Sequence, residues 1–356
     1  MDNVRNRRKF LRDIALGTAG VSAMGLLGSC SSFDNYLFED RYDFNDEVMI
    51  VGGGISGLYL AHKLRFNKTE FRLFEGSNSF GGRIRSNGGA DYGASLFSVN
   101  DKNLKVLLKD LSLEFKALDK EFLFLPEGMQ SMTEALVERT VGLIPYRNFR
   151  MRWRLMGIRK YSGSFELLFE HPQGQKRFNC KKVALAIPPS QWASVVGLLE
   201  LPEMQWAAGW LETLSIENSI KIILPGNAVP NLTKPRVEFS AEDVNFRQII
   251  KKGKLTPSVE IEVSYPQTEY KSIEAVYALI KKKLQIEYPF EKLSVEQYFD
   301  WRQVKLIRGS KFRNFMAVPE STNKHFQIVG DFTPSRAIYT VEGALESAIR
   351  ASELLL

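Results

Sequence analysis

Residues 48–64 read VMIVGGGISGLYLAHKL. The apolar run Val48 to Val51 stops at Gly52-Gly53-Gly54-Ile55-Ser56-Gly57, and Leu58, Leu60, Ala61 and Leu64 then recur at helical spacing. That order predicts a buried strand, a tight turn and a helix in direct succession. Gly52 permits the turn, Gly54 lets a pyrophosphate approach the backbone, and Gly57 lets helix and strand pack closely. The helix N-terminus at Ile55 and Ser56 then presents free N–H groups to phosphate. A second strand, Phe71 to Phe74, ends in Glu75, eighteen residues past Gly57, where a carboxylate can accept both hydroxyls of a ribose. These features predict an α/β fold with a Rossmann-like dinucleotide-binding unit, the alternative being a glycine turn in some other α/β protein.

The chain continues through Glu75 as FEGSNSFGGRI, residues 74–84. Gly81 and Gly82 allow close backbone approach and Arg83 supplies a fixed cation for phosphate oxygens. An exposed glycine loop with a solvated arginine would have the same composition.

Composition narrows the function classes. The net charge of +7 includes five Arg/Lys and two Asp in residues 1–30, leaving +4 for the remainder. That is too mild to argue for nucleic acid, and none is expected as a partner. His62, His171 and His325 are scattered without ligand-like spacing, so no metal site is expected. Cys30 and Cys180 are the two cysteines. If the first is lipidated, no intramolecular disulfide can form, and Cys180, at the end of an expected strand, reads as buried filler.

FEGSNSFGGRI resembles the second signature of the flavin-containing amine oxidase superfamily, whose GG-Arg loop runs beside the FAD diphosphate. The similarity extends along the chain. Asp91-Tyr92-Gly93-Ala94-Ser95 resembles the family's D-x-G-A segment close to the flavin, and Glu127-Gly128-Met129 with the helical Met132 to Arg139 resembles its GGM-x-x-L-x-x-AL segment. Val183 to Ile187 with Pro188-Pro189 resembles its A-x-PP strand end. Phe326 to Val329, Gly330-Asp331 and Val341-Glu342-Gly343-Ala344 resemble its closing flavin motif. The resemblance implies an FAD-dependent oxidoreductase that passes a hydride equivalent from a small molecule to flavin N5.

It also implies an FAD-binding domain of glutathione reductase type over residues 47–100, 126–200 and 324–356. This would be interleaved with a smaller mixed α+β substrate domain over 101–125 and 201–323. Ser219 to Leu224, Arg236 to Phe239 and Val259 to Val263 look like strands of the latter, and Ile273 to Leu284 like an amphipathic helix. Asp331 would hold the ribityl or phosphate region, and the helix opening at Val341 would face the flavin. Glu342 would join that site or merely complement the helix dipole.

Lys221 lies on the expected strand, thirty-two residues after Pro189. The resemblance makes it the catalytic candidate, holding a water at N5; a solvent-facing strand lysine is the alternative. Thr340 stands where monoamine oxidases have an aromatic-sandwich tyrosine, with Tyr339 beside it, and no cysteine lies near the closing motif. FAD is therefore expected to be non-covalent and the substrate not a typical monoamine. Similarity to renalase-like oxidases of reduced nicotinamide isomers is an alternative, as is a flavin-binding envelope protein without turnover.

At the start, Arg7 and Arg8 precede Lys9-Phe10-Leu11 and a Gly/Ala-rich run ending in Leu27-Gly28-Ser29-Cys30. This resembles a bacterial twin-arginine signal with a lipoprotein cleavage box. It implies recognition by the twin-arginine export machinery, lipidation of Cys30, a tether over 31–46, and a membrane-anchored home in the bacterial cell envelope. The two signals support each other, because the twin-arginine route carries folded proteins and FAD is acquired in the cytoplasm.

Overall fold

The computed structural model describes residues 41–87, 89–141, 148–213, 216–228, 235–241, 244–252, 257–266, 272–284, 286, 288–289, 292, 298–300, 306–307, 318, 322–333 and 335–356. The signal, Cys30 and the tether up to residue 40 lie outside the described residues.

The first sheet is assembled from β1 (Arg41–Val51), β2 (Phe71–Glu75), β3 (Phe149–Met151), β4 (Arg154–Tyr161), β5 (Ser164–His171) and β6 (Gly174–Leu185). Their order is β3-β2-β1-β6-β5-β4. β1 runs parallel to β2 on one side and to β6 on the other, with Val48 to Val51 opposite Lys182 to Leu185. β4, β5 and β6 form an antiparallel meander. Late in the chain, Phe326–Ile328 returns parallel to the end of β6. The sequence reading begins the fold near Glu47, whereas the strand already starts at Arg41, paired with Arg177.

A parallel strand covered on both faces needs apolar residues at every position, and the last four residues of β1, Val48 to Val51, meet that condition. Val48 and Ile50 enter one core with helix α1 (Ile55–Phe66). Met49 and Val51 enter another with Phe74, Phe165, Phe169, Phe178 and Trp192. In the first core α1 packs against the C-terminal helix Val341–Leu355 through Leu345, Ala348, Ala351 and Leu355. Cys180 sits inside β6 rather than at a strand end and is fully buried. Its apolar surroundings push the thiol well above its ordinary range.

Between these elements the chain adds α2 (Lys102–Asp110), the short strands Lys116–Ala117 and Phe122–Phe124, and α3 (Gln130–Val141).

The second sheet contains β7 (Ile216–Pro225), β8 (Arg236–Ala241), β9 (Val244–Lys252), β10 (Pro257–Pro266), β11 (Tyr298–Asp300) and β12 (Leu306–Ile307). Its order is β8-β9-β10-β7-β11, with β12 also beside β7. Alternation sorts its residues. Ile220, Ile222 and Leu224 of β7 and Val259, Ile261 and Val263 of β10 pack with Val276, Tyr277 and Ile280 of the helix Ile273–Leu284. Lys221, Glu260 and Glu262 point to the opposite face. β9 has no counterpart in the sequence reading.

Candidate functional site

The two glycine segments interlock at the end of β1. Gly52 has φ +110° and donates its N–H to the Phe74 carbonyl at 2.8 Å. A Cβ on Gly57 would stand 2.0 Å from the Gly52 carbonyl oxygen, so only glycine lets α1 pack under the turn. Gly54, the residue before α1, is different: a Cβ there would meet nothing within 4 Å. Gly81 donates to the Gly53 carbonyl at 2.8 Å, and Gly82 has φ +59° and comes so near that a Cβ on it would lie 3.1 Å from the Gly54 Cα.

Glu75 closes this end. Its carboxylate oxygens accept from the Gly53 and Ser77 N–H groups, each at 2.7 Å. Each oxygen keeps a lone pair for a further donor. Arg83 reaches across to Asp331, with Nη2 2.6 Å from Oδ1. Asp331 follows the strand Phe326–Ile328, and its carbonyl accepts the Tyr339 N–H at 2.6 Å. Tyr339 is held at φ +64° just ahead of the last helix, a conformation that costs a non-glycine residue about 1 kcal/mol or more. Burial, with Asp331 nearby, raises its phenol above the ordinary range. Thr340 then caps the helix, its hydroxyl accepting from Gly343 N–H at 3.2 Å.

These parts surround one cavity of about 750 Å³, within the usual size range for a ligand site. Gly52, Gly54, Ile55 and Ser56 line it, as do Glu75, Gly81, Gly82 and Arg83. Gly93, Ala94, Gly330, Asp331, Val341 and Lys221 complete the expected set on its wall. Gly57 lies beneath the turn as a packing glycine. Glu342 is placed elsewhere: it is 4 % exposed and faces α2, accepting from Asn103 N–H at 2.9 Å, Asn103 Nδ2 at 2.8 Å and Leu104 N–H at 2.8 Å. The first turn of the last helix thus sends Val341 to the cavity and Glu342 to a neighbouring helix, a divergence of adjacent side chains that a 3.6-residue period allows.

Lys221 is 1 % exposed, so it does not face solvent. Its Nζ donates to the Gly93 carbonyl at 3.0 Å and to the Ser95 hydroxyl, and lies 3.0 Å from Glu260 Oε2. The two hydrogen bonds fix the ammonium against residues 93–95, and Glu260 sets an opposite charge beside it.

The sequence reading missed Glu260 and Glu262. The signal was present in Val259-Glu260-Ile261-Glu262-Val263, where strict alternation puts both carboxylates on the face opposite the core. Glu262 pairs in register with Lys221 and lines the cavity. Trp153, Arg154 and Phe332 also line it without any motif marking them.

Residues 50–111 match the family described as NAD(P)-binding Rossmann-like domain. Among solved structures the chain is similar to putrescine oxidase bound to putrescine, with a TM-score of 0.64 and 12% identity over 87% of this chain and 99% of that one. It is also similar to cyclohexylamine oxidase from Brevibacterium oxydans IH-35A, with a TM-score of 0.66 and 12% identity over 88% of this chain and 100% of that one. The chain therefore has the fold of these two oxidases, an α/β architecture built on a Rossmann-like dinucleotide-binding domain.

Proposed function

We propose that this protein is an FAD-dependent oxidoreductase of the flavin-containing amine oxidase type, acting on a small molecule. The observation that carries the reading is the convergence of both glycine loops, Glu75, the Arg83–Asp331 pair and the last helix on one cavity. The fit is physical as well as topological. Space at Gly54 stands open for a diphosphate, Glu75 retains acceptor capacity for ribose hydroxyls, and free N–H groups of the last helix favour negative charge at its first turn. When bound, FAD would supply the two-electron acceptor for a hydride equivalent from a C–N or C–H bond. The protein's part is to orient the substrate and exclude water around it. Turnover rather than mere binding is supported by the cavity's extent, from the nucleotide end at Glu75 to Lys221 and Glu262. The names of the two structural neighbours make amines the first substrates to try. We further propose that the chain is exported folded by the twin-arginine route and anchored through lipidated Cys30.

The test of the cofactor is direct. Purified protein should be yellow and release FAD on acid precipitation. Gly54→Val should fold, since its Cβ meets nothing, yet remain colourless because the branched side chain fills the diphosphate path. Release of FMN or NAD, or of no cofactor from folded wild type, would overturn the reading. Anaerobic bleaching by a panel of amines and dihydronicotinamides would then identify the substrate class.

A further inference from the structure

We infer that Lys221 and Glu260 form a buried clamp that positions residues 91–95 against the cavity, so that Lys221 acts through the backbone it holds. This deepens the flavin reading by assigning what shapes the wall of the same site. The two side chains are 2 % and 0 % exposed, with Nζ 3.0 Å from Oε2. The other Glu260 oxygen accepts the Asp91 N–H at 2.7 Å. Lys221 returns to the same segment through the Gly93 carbonyl at 3.0 Å and the Ser95 hydroxyl. One carboxylate and one ammonium therefore grip five consecutive residues at three points, and Gly93 and Ala94 between them line the cavity.

The grip extends to the cofactor loop. Tyr92 N–H donates to the Arg85 carbonyl at 2.8 Å and Ala94 N–H to the Arg83 carbonyl at 3.2 Å. Asp91 is fully buried, and its Oδ1 accepts from Met129 N–H at 2.7 Å and from the Ser86 hydroxyl. The second sheet thus reaches the GG-Arg loop through segment 91–95. Lys221 and Glu260 compensate each other's charge, and removing one leaves the other buried without it, which costs more than removing both.

That asymmetry supplies the test. Lys221→Met and Glu260→Gln are each expected to lower the thermal midpoint, speed amide exchange at Tyr92 and Ala94, and weaken FAD binding by about 10-fold or more, the change for each 1.4 kcal/mol. The double variant Lys221→Met/Glu260→Met should regain part of the thermal-midpoint loss, since no lone charge is buried, while exchange at Tyr92 and Ala94 stays fast because all three grip points are gone. Strictly additive midpoint losses, or exchange at Tyr92 and Ala94 in Lys221→Met as slow as in wild type with reoxidation alone slowed, would overturn the clamp in favour of a lysine acting on a bound water. If a single variant does not fold, Ser95→Ala leaves the ion pair in place and should still speed exchange at Ala94; unchanged exchange there counts against the clamp. Thermal midpoint and amide exchange are read without cofactor, so a wild type that binds no FAD would refute the proposed function while leaving the clamp to its own measurements.

Discussion

His62 shows how one residue's environment becomes a property of the whole protein. It is 9 % exposed on α1, and its Nδ1 lies 3.1 Å from the Thr140 hydroxyl. That hydroxyl already donates to the Leu136 carbonyl at 2.7 Å, so Nδ1 must be the donor and the ring a neutral Nδ1–H tautomer. Burial first, then Lys63 and Arg139, lowers its pKa from 6.5 to about 4, against a smaller opposite pull from Asp110. The sign follows from proton counting. Above pH 6.5 neither state is protonated and the contribution to stability is complete. Between 6.5 and about 4 the unfolded chain takes up a proton that the folded one refuses, so stability falls as pH falls. His62→Asn keeps a donor toward Thr140 but does not titrate. Thermal midpoints measured across this window should decline more steeply in wild type than in the variant; parallel curves would mean that His62 does not carry the effect.

At the scale of elements, the bond between the last helix and α2 is made by one side chain. α2 has Asp101 at its N-cap, yet Asp101 makes no capping bond to the helix and instead accepts from Ser98 N–H at 2.8 Å. Glu342 takes over the capping from another helix, satisfying Asn103 and Leu104 N–H groups that would otherwise be orphaned. Two carboxylates come close here, and the Asp101 carboxyl is raised above its ordinary range by burial and then by Glu342 and Glu346. Glu342→Ala should cost about 2 kcal/mol, the scale of a lost charged cap with buried donors left unpaired. Glu342→Gln, which keeps an acceptor, should cost less. Urea unfolding of the three proteins decides it, and an alanine variant as stable as wild type would exclude the capping role. Because the last helix opens onto the cavity, any loosening here should also be felt by a bound cofactor.

For the whole molecule, the proposed destination constrains the order of events. A chain that must fold around FAD before crossing a membrane needs a carrier for folded proteins, which is the argument linking Arg7 and Arg8 to Gly52 and Gly54. Replacing both arginines by lysine should leave precursor in the cytoplasm, and Cys30→Ala should abolish attachment of labelled lipid. Lipid still bound to the Cys30→Ala form would refute the anchor. If FAD loading precedes export, wild type recovered from the envelope should already carry flavin, and the Gly54→Val variant should be exported poorly or arrive without it.

The sequence by itself determined the nucleotide-binding half of the site, because there the chemistry is local. A strand, a turn that requires Gly52, and a helix that requires Gly57 are contiguous, and period and glycine placement specify them without long-range information. Glu75 and the Gly81-Gly82-Arg83 loop follow within one βαβ-like unit. The strands around Lys221 and the helix Ile273–Leu284 were also legible, from alternation and helical spacing. Only the tertiary structure decided which way shared-surface side chains turn. Glu342 and Val341 are neighbours on one helical turn, and their separation between α2 and the cavity depends on what packs at each side. Lys221 was equally consistent with solvent or interior until the second sheet was laid against residues 91–95. Glu260 completes the pair from 39 residues further along the chain, where pattern gives the face of a strand but not its partner. Periodicity encodes which face is buried, whereas the identity of the charge met across an interface is set by the docking of two sheets.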